Sequence, residues 1–139
     1  MKTRQELVAA ARSYLGTPFH HQGRMPGAGL DCAGTVICAA RQCGFEVEDF
    51  GGYPPVPGGG VFMNVVRKHC DVIPQEEVLP GDFMVFSFKT EPHHIALVVG
   101  VDPVTILHAY MQVRRVVENY LDATWQKRLK GCFRIRGIK

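Results

Sequence analysis

Three side chains in this sequence have the types and order that nucleophilic acyl chemistry requires: Cys32, His94 and His108. Cys32 follows Asp31 in "GLDCAG", where a glycine-rich loop meets an amphipathic stretch that stops at Gly44. A helix N-terminus stabilises negative charge, so a thiol placed there is expected to ionise more readily, and the thiolate is the nucleophile. Cysteine is also a small and commonly buried side chain, so a core role for Cys32 stands beside the chemical one. A thiol nucleophile needs a base that takes its proton and returns it to the leaving amine, and a group that orients that base. His94 opens the apolar run "HIALVVG", and His108 lies in the next one, "VTILHAY". Adjacent antiparallel strands can bring two such side chains together on one sheet face. Each histidine has a structural reading too: a polar strand end for His94, a hydrogen-bonded core residue for His108. A zinc site made by Cys32, His94 and His108, with water as fourth ligand, is the competing chemistry. It lacks any local ligand-pair spacing, and the reading made here needs no metal and no cofactor.

The elements that must position these residues are legible in part. Thr3 with Glu6 makes a capping-box signature, and Leu7, Ala10, Ala11 and Tyr14 recur at helical spacing, predicting a helix from about residue 4 to 15. Gly16 and Pro18 end it. "GTPFHHQGRMPGAGLD" is then a long loop, and a loop of that length inside a compact domain hints at function. The helix after Asp31 carries Cys32, Val36, Ala39, Ala40 and Cys43 at neighbouring positions. "GGYPPVPGGG" is a second loop, and a short helix is expected over 61–69. From "LPGDFMVFSF" onward the pattern is that of strands: one at Phe83, Val85 and the apolar residues around Phe86, entered through a Pro-Gly-Asp turn, then "HIALVVG", "VTILHAY" and "QVRRVVE". A short helix at "LDATWQKRL" and a closing strand at "CFRIRGI" follow. Helices first and an antiparallel meander afterwards predict an α+β domain.

Composition bounds the rest. The 139 residues, 46% hydrophobic and 21% charged, are read as one catalytic domain covering residues 1–139. The start "MKTRQELVAAARSYLG" lacks a separate apolar core and cleavage site, so it reads as a helix and synthesis is expected in the cytoplasm. No apolar run reaches the length of a membrane span. Five cysteines, an odd number without CxxC spacing, argue against a disulfide framework and a zinc knuckle. Residues 110–139 hold 8 of the 16 Lys and Arg but 2 of the 13 Asp and Glu. That basic end reads as a solvated face, because its aromatics do not interleave with the charges as a nucleic-acid stacking platform would need.

Taken in order, "LDCAG", "LPGDFMVF", "HHIALVVG" and "ILHA" resemble the landmarks of the NlpC/P60 peptidoglycan peptidases: Asp-Cys-Ser-Gly, Pro-Gly-Asp-Leu, His-Val-Gly-Ile-Tyr and Ile-His-Ala. The resemblance runs from about Leu7 to the end. The loop "GTPFHHQGR" and the small size are similar to the branch found among phage and prophage tail-assembly genes. The resemblance implies a papain-like α+β fold, with Cys32 as nucleophile, His94 as base and His108 as the orienting third residue. It also implies hydrolysis of amide bonds in peptidoglycan stem peptides, between D-γ-glutamyl and diaminopimelate or lysine. Stem peptide is then the substrate, phage tail proteins are partners, and the cell wall is reached through a phage particle or lysis. Two departures stand out. Ala33 replaces the serine after the cysteine, and Phe19 replaces a tyrosine whose hydroxyl points to the active site. Phe19, His20, His21 and Asp31 are therefore the residues assigned to the substrate side, with His20 or His21 taking over from the missing hydroxyl and Asp31 chiefly capping the helix. Two other readings share the fold: a tail component with little activity, and a thiol amidase or thioesterase on a substrate other than peptidoglycan.

Overall fold

The computed structural model describes residues 1–49, 61–88 and 93–139. The "GGYPPVPGGG" loop lies outside them. Among the described residues the helices are α1 (Arg4–Arg12), α2 (Cys32–Gln42), α3 (Val61–His69) and α4 (Ala123–Arg128). The strands are β1 (Arg24–Met25), β2 (Gly29–Leu30), β3 (Cys70–Ile73), β4 (Phe83–Phe86), β5 (His94–Val101), β6 (Val104–Tyr110), β7 (Arg115–Tyr120) and β8 (Leu129–Ile135). This is the expected α+β arrangement of helices and an antiparallel sheet.

Local chemistry accounts for most boundaries. Thr3 caps α1 by accepting from the Glu6 amide at 3.1 Å. That helix stops at Arg12, earlier than its apolar spacing suggests, because the chain turns through residues 13–16 into Gly16 at φ +86°. α2 ends before Gly44, whose φ of +95° suits glycine alone among common residues. "QVRRVVE" does not form one strand. Met111–Val113 make a 3-10 turn and Arg114 takes the left-handed conformation, so β7 begins at Arg115.

The larger sheet has the order β3-β8-β4-β5-β6-β7, antiparallel throughout. Strands β4 to β7 are the expected meander, and β8 returns to insert between β3 and β4. Both faces of the sheet are covered. Phe83, Val85, Leu97 and Phe133 join Leu7, Ala11 and Ala39 in the main core under α1 and α2. Met84, Phe86, Ala96, Val98 and Ile106 form a smaller core with Trp125 of α4. Burial on both faces explains why β4 and β5 read as nearly unbroken apolar runs.

Candidate active site

Asp31 is the N-cap of α2. Its Oδ1 accepts from the Gly34 amide at 2.8 Å and from Arg24 Nη1 at 2.9 Å, while Oδ2 accepts from the Gln22 amide at 2.8 Å. This buried carboxylate therefore ties the long loop to the helix that carries Cys32. Gly34 makes the same junction tight, since a Cβ there would lie 2.1 Å from the Gly23 carbonyl oxygen. The atom it would meet is backbone and cannot swing aside as a side chain could. Gly34→Ala is therefore expected to destabilise the protein by about 1–3 kcal/mol, the usual cost of overpacking, and to displace the loop. Thermal melts check the first effect, and a changed KM of any activity checks the second.

Capping leaves the amides of Cys32 and Ala33 without helical acceptors, because Gly34 bonds the Asp31 side chain and Thr35 bonds the Asp31 carbonyl. The half-buried Cys32 thiol lies against β5, 3.8 Å from the His93 carbonyl oxygen, with a further backbone hydrogen bond from Ile95. The sulfur thus touches the strand on either side of His94. Burial pushes this thiol up to about 12, the Asp31 charge adds to the rise, and backbone hydrogen bonds from Ile95 and Ala33 oppose it. This direction is opposite to the lowering expected of a helix start, and withdrawal from water is its largest cause.

His94 and His108 come together as strand alternation predicts. Leu97 pairs with Leu107, so the two histidines are diagonal neighbours on the face opposite the main core. His94 Nε2 lies 2.6 Å from His108 Nδ1, and His108 Nε2 lies 2.6 Å from Asn119 Oδ1. Asn119 stands in β7 opposite Ile106 and was missed in the sequence. Rings enclose the pair: Trp125 is 5.7 Å from His94 and 4.8 Å from His108, and Tyr110 stacks on His108 at 5.5 Å. Burial holds His94 well below the ordinary histidine value and lowers His108 to about 4. Both rings are therefore neutral at pH 7. The ring nitrogens that face each other are engaged within the pair. Among the described residues no three His, Cys, Asp or Glu side chains are grouped to hold a metal ion.

These lowered values have a consequence for stability. An unfolded chain takes up protons on its histidines below about pH 6.5, before the folded one does, so stability is full above that pH and falls as pH drops toward 4. For His108 alone the loss is on the order of 3 kcal/mol. Denaturant midpoints measured between pH 7.5 and 4.5 should fall over this window, and less so in His108→Gln.

Of the proposed substrate-side residues, Phe19 is half-buried and packs on the main core, its amide donating to the Arg114 carbonyl at 2.8 Å. His20 is exposed, with its amide bonded to the Leu30 carbonyl and its ring Nδ1 3.0 Å from the His21 carbonyl oxygen. His21 is half-buried beside it. The loop that looked irregular holds the small β1–β2 hairpin, with Arg24 opposite Leu30.

The chain belongs to the NlpC/P60 family, whose profile matches residues 16–134. Solved structures share the fold. A Staphylococcus aureus protein described as similar to lipoprotein, NLP/P60 family, is 22% identical with a TM-score of 0.73, covering 98% of this chain and 41% of its own. The NlpC/p60 domain of the peptidoglycan hydrolase SagA is 21% identical with a TM-score of 0.68, covering 93% and 96%. RipD of Mycobacterium tuberculosis, described as a non-catalytic domain adapted to peptidoglycan binding, is 14% identical with a TM-score of 0.67, covering 97% of each chain. This chain therefore spans about two-fifths of the Staphylococcus protein. No curated protein is significantly similar in sequence. Family members are usually cysteine peptidases or amidases of peptidoglycan, and RipD carries the fold without catalysis. No helix among the described residues is long and apolar enough to cross a membrane.

Proposed function

We propose that the protein is a cysteine hydrolase of peptidoglycan stem peptides, with Cys32 as nucleophile, His94 as general base and His108 as its orienting partner. The observation that carries this reading is the seat of the Cys32 sulfur against the backbone flanking His94, with His94 bonded to His108 at its other end. His94 Nε2 is taken up by His108, so Nδ1 is the ring nitrogen left to receive the thiol proton. Because thiol and imidazole are both neutral at rest, the proton leaves Sγ for His94 Nδ1 as the S–C bond forms. The carbonyl oxygen becomes an oxyanion held by backbone amides at the start of α2, including that of Cys32. Collapse breaks the C–N bond, and His94 returns its proton to the leaving amine. Water then cleaves the thioester with His94 again as base. Ala33 costs nothing here, since backbone amides and not a side-chain hydroxyl serve the oxyanion.

Within this reading the scissile bond is that between D-γ-glutamyl and diaminopimelate or lysine, and loop 19–29 forms one wall of the cleft with His20 or His21 toward substrate. The loop "GTPFHHQGR" supports the phage tail-assembly branch and, with it, tail proteins as partners. Digestion of purified muropeptides read by mass spectrometry tests the reaction. One water added, with a new amine on diaminopimelate or lysine, is the expected product. Binding without cleavage would give the protein the role that RipD is described as having.

A further inference from the structure

We propose that Asn119 is a positioning residue that selects the tautomers of both histidines and so leaves His94 able to act as a base. The inference rests on the proposed hydrolase reading for its catalytic consequence, but the tautomers exist without substrate.

Two proton arrangements fit the His94–His108 contact equally well. In one, His94 donates from Nε2 to His108 Nδ1, and His94 Nδ1 keeps a lone pair. In the other, His108 donates from Nδ1, and a neutral His94 must carry its proton on Nδ1, where it cannot accept one from a thiol. Nothing in the pair itself chooses between them. Asn119 does. Its Nδ2 donates to the Tyr120 carbonyl at 3.0 Å, which fixes the amide with Oδ1 toward His108 at 2.6 Å. An amide oxygen only accepts, so His108 must donate from Nε2. A neutral His108 then has a bare Nδ1, His94 must donate to it, and Nδ1 of His94 is left bare. Burial enforces the sequence, because it keeps both rings neutral and an unpaired N–H in this aromatic surround is costly. One backbone carbonyl thus sets the proton at the far end of three side chains.

Asn119 is half-buried on β7, so substitution there is compatible with folding. Asn119→Leu removes the acceptor and keeps the bulk. We expect kcat to fall about tenfold with KM little changed, as loss of one buried hydrogen bond implies. The imidazole nitrogen spectrum of the free protein should show His94 protonated on Nε2 in the natural sequence and a mixture of tautomers in Asn119→Leu. Asn119→Asp keeps the acceptor and should recover most of kcat at pH 8. Its charge favours a protonated His108, whose Nδ1–H disables His94, so the acid limb of the pH profile should move upward. A His94 tautomer unchanged in Asn119→Leu would overturn the proposal, as would its being protonated on Nδ1 in the natural sequence. Because that spectrum needs no substrate, failure to cleave muropeptides would count against the hydrolase reading alone.

Discussion

His94→Ala should lower kcat/KM for stem-peptide cleavage by at least about 10²-fold while the protein still folds, the low end for removing a general base. The size of the effect follows from the resting state of the thiol. With its pKa pushed up to about 12, Cys32 holds almost no thiolate at neutral pH, so the reaction depends on a base that takes the proton during attack. A pre-formed ion pair would depend on it less at high pH. His108→Ala should cost less, because His108 orients the base and transfers no proton. His93→Ala is the internal control: the His93 backbone carbonyl meets the sulfur, and that carbonyl remains. A larger loss from His93→Ala than from His94→Ala would contradict the assignment. Steady-state kinetics on a defined muropeptide, with folding checked by circular dichroism, measures all three.

Asp82→Ala should destabilise the fold by about 3–5 kcal/mol, the usual cost of removing one partner from a buried ion pair. The side chain is fully buried and meets two arginines, Arg4 Nη1 at 2.9 Å and Arg134 Nη2 at 2.9 Å. Its Oδ2 also accepts from the Leu79 amide at 2.8 Å. One carboxylate therefore joins α1, β8 and the Pro-Gly-Asp turn that enters β4. The substitution leaves two partly exposed guanidinium groups with only their bonds to the Pro80 and Glu77 carbonyls, and a turn without its acceptor. Proteins of this size have only about 5–15 kcal/mol in total, so the midpoint of thermal unfolding should drop by about 10 °C or more. A change below 2 °C would mean that water satisfies these arginines without Asp82.

The contrast between these two residues shows what was legible in the sequence. Cys32, His94 and His108 were found because their elements have clear local signals: a capped helix start and two apolar strands whose alternation brings histidines to one face. Asp82 was seen only as part of a turn. Its two arginines come from residues 4 and 134, and no local pattern connects positions so far apart. The same limit hid the insertion of β8 between β3 and β4, and β3 itself, which follows α3 with no turn residue between His69 and Cys70. Asn119 was missed for a different reason. Reading "QVRRVVE" as a strand ended the element two residues too early, whereas the 3-10 turn at Met111–Val113 shifts β7 along to bring Asn119 opposite Ile106. The helix-start argument for a reactive thiol leaves out energetics rather than topology. A sequence reports the helix terminus and its field, but not how completely β5 shields the sulfur from water.

The most direct test joins the fraction of Cys32 modified to the activity that remains. The protein would be alkylated with iodoacetamide for graded times at pH 9, with each cysteine quantified by peptide mass mapping and muropeptide cleavage measured on the same samples. A nucleophilic Cys32 requires residual cleavage to fall in proportion to the fraction of Cys32 carrying the label, reaching zero when labelling is complete, whatever the state of Cys38. Cleavage that persists with Cys32 fully alkylated would contradict it.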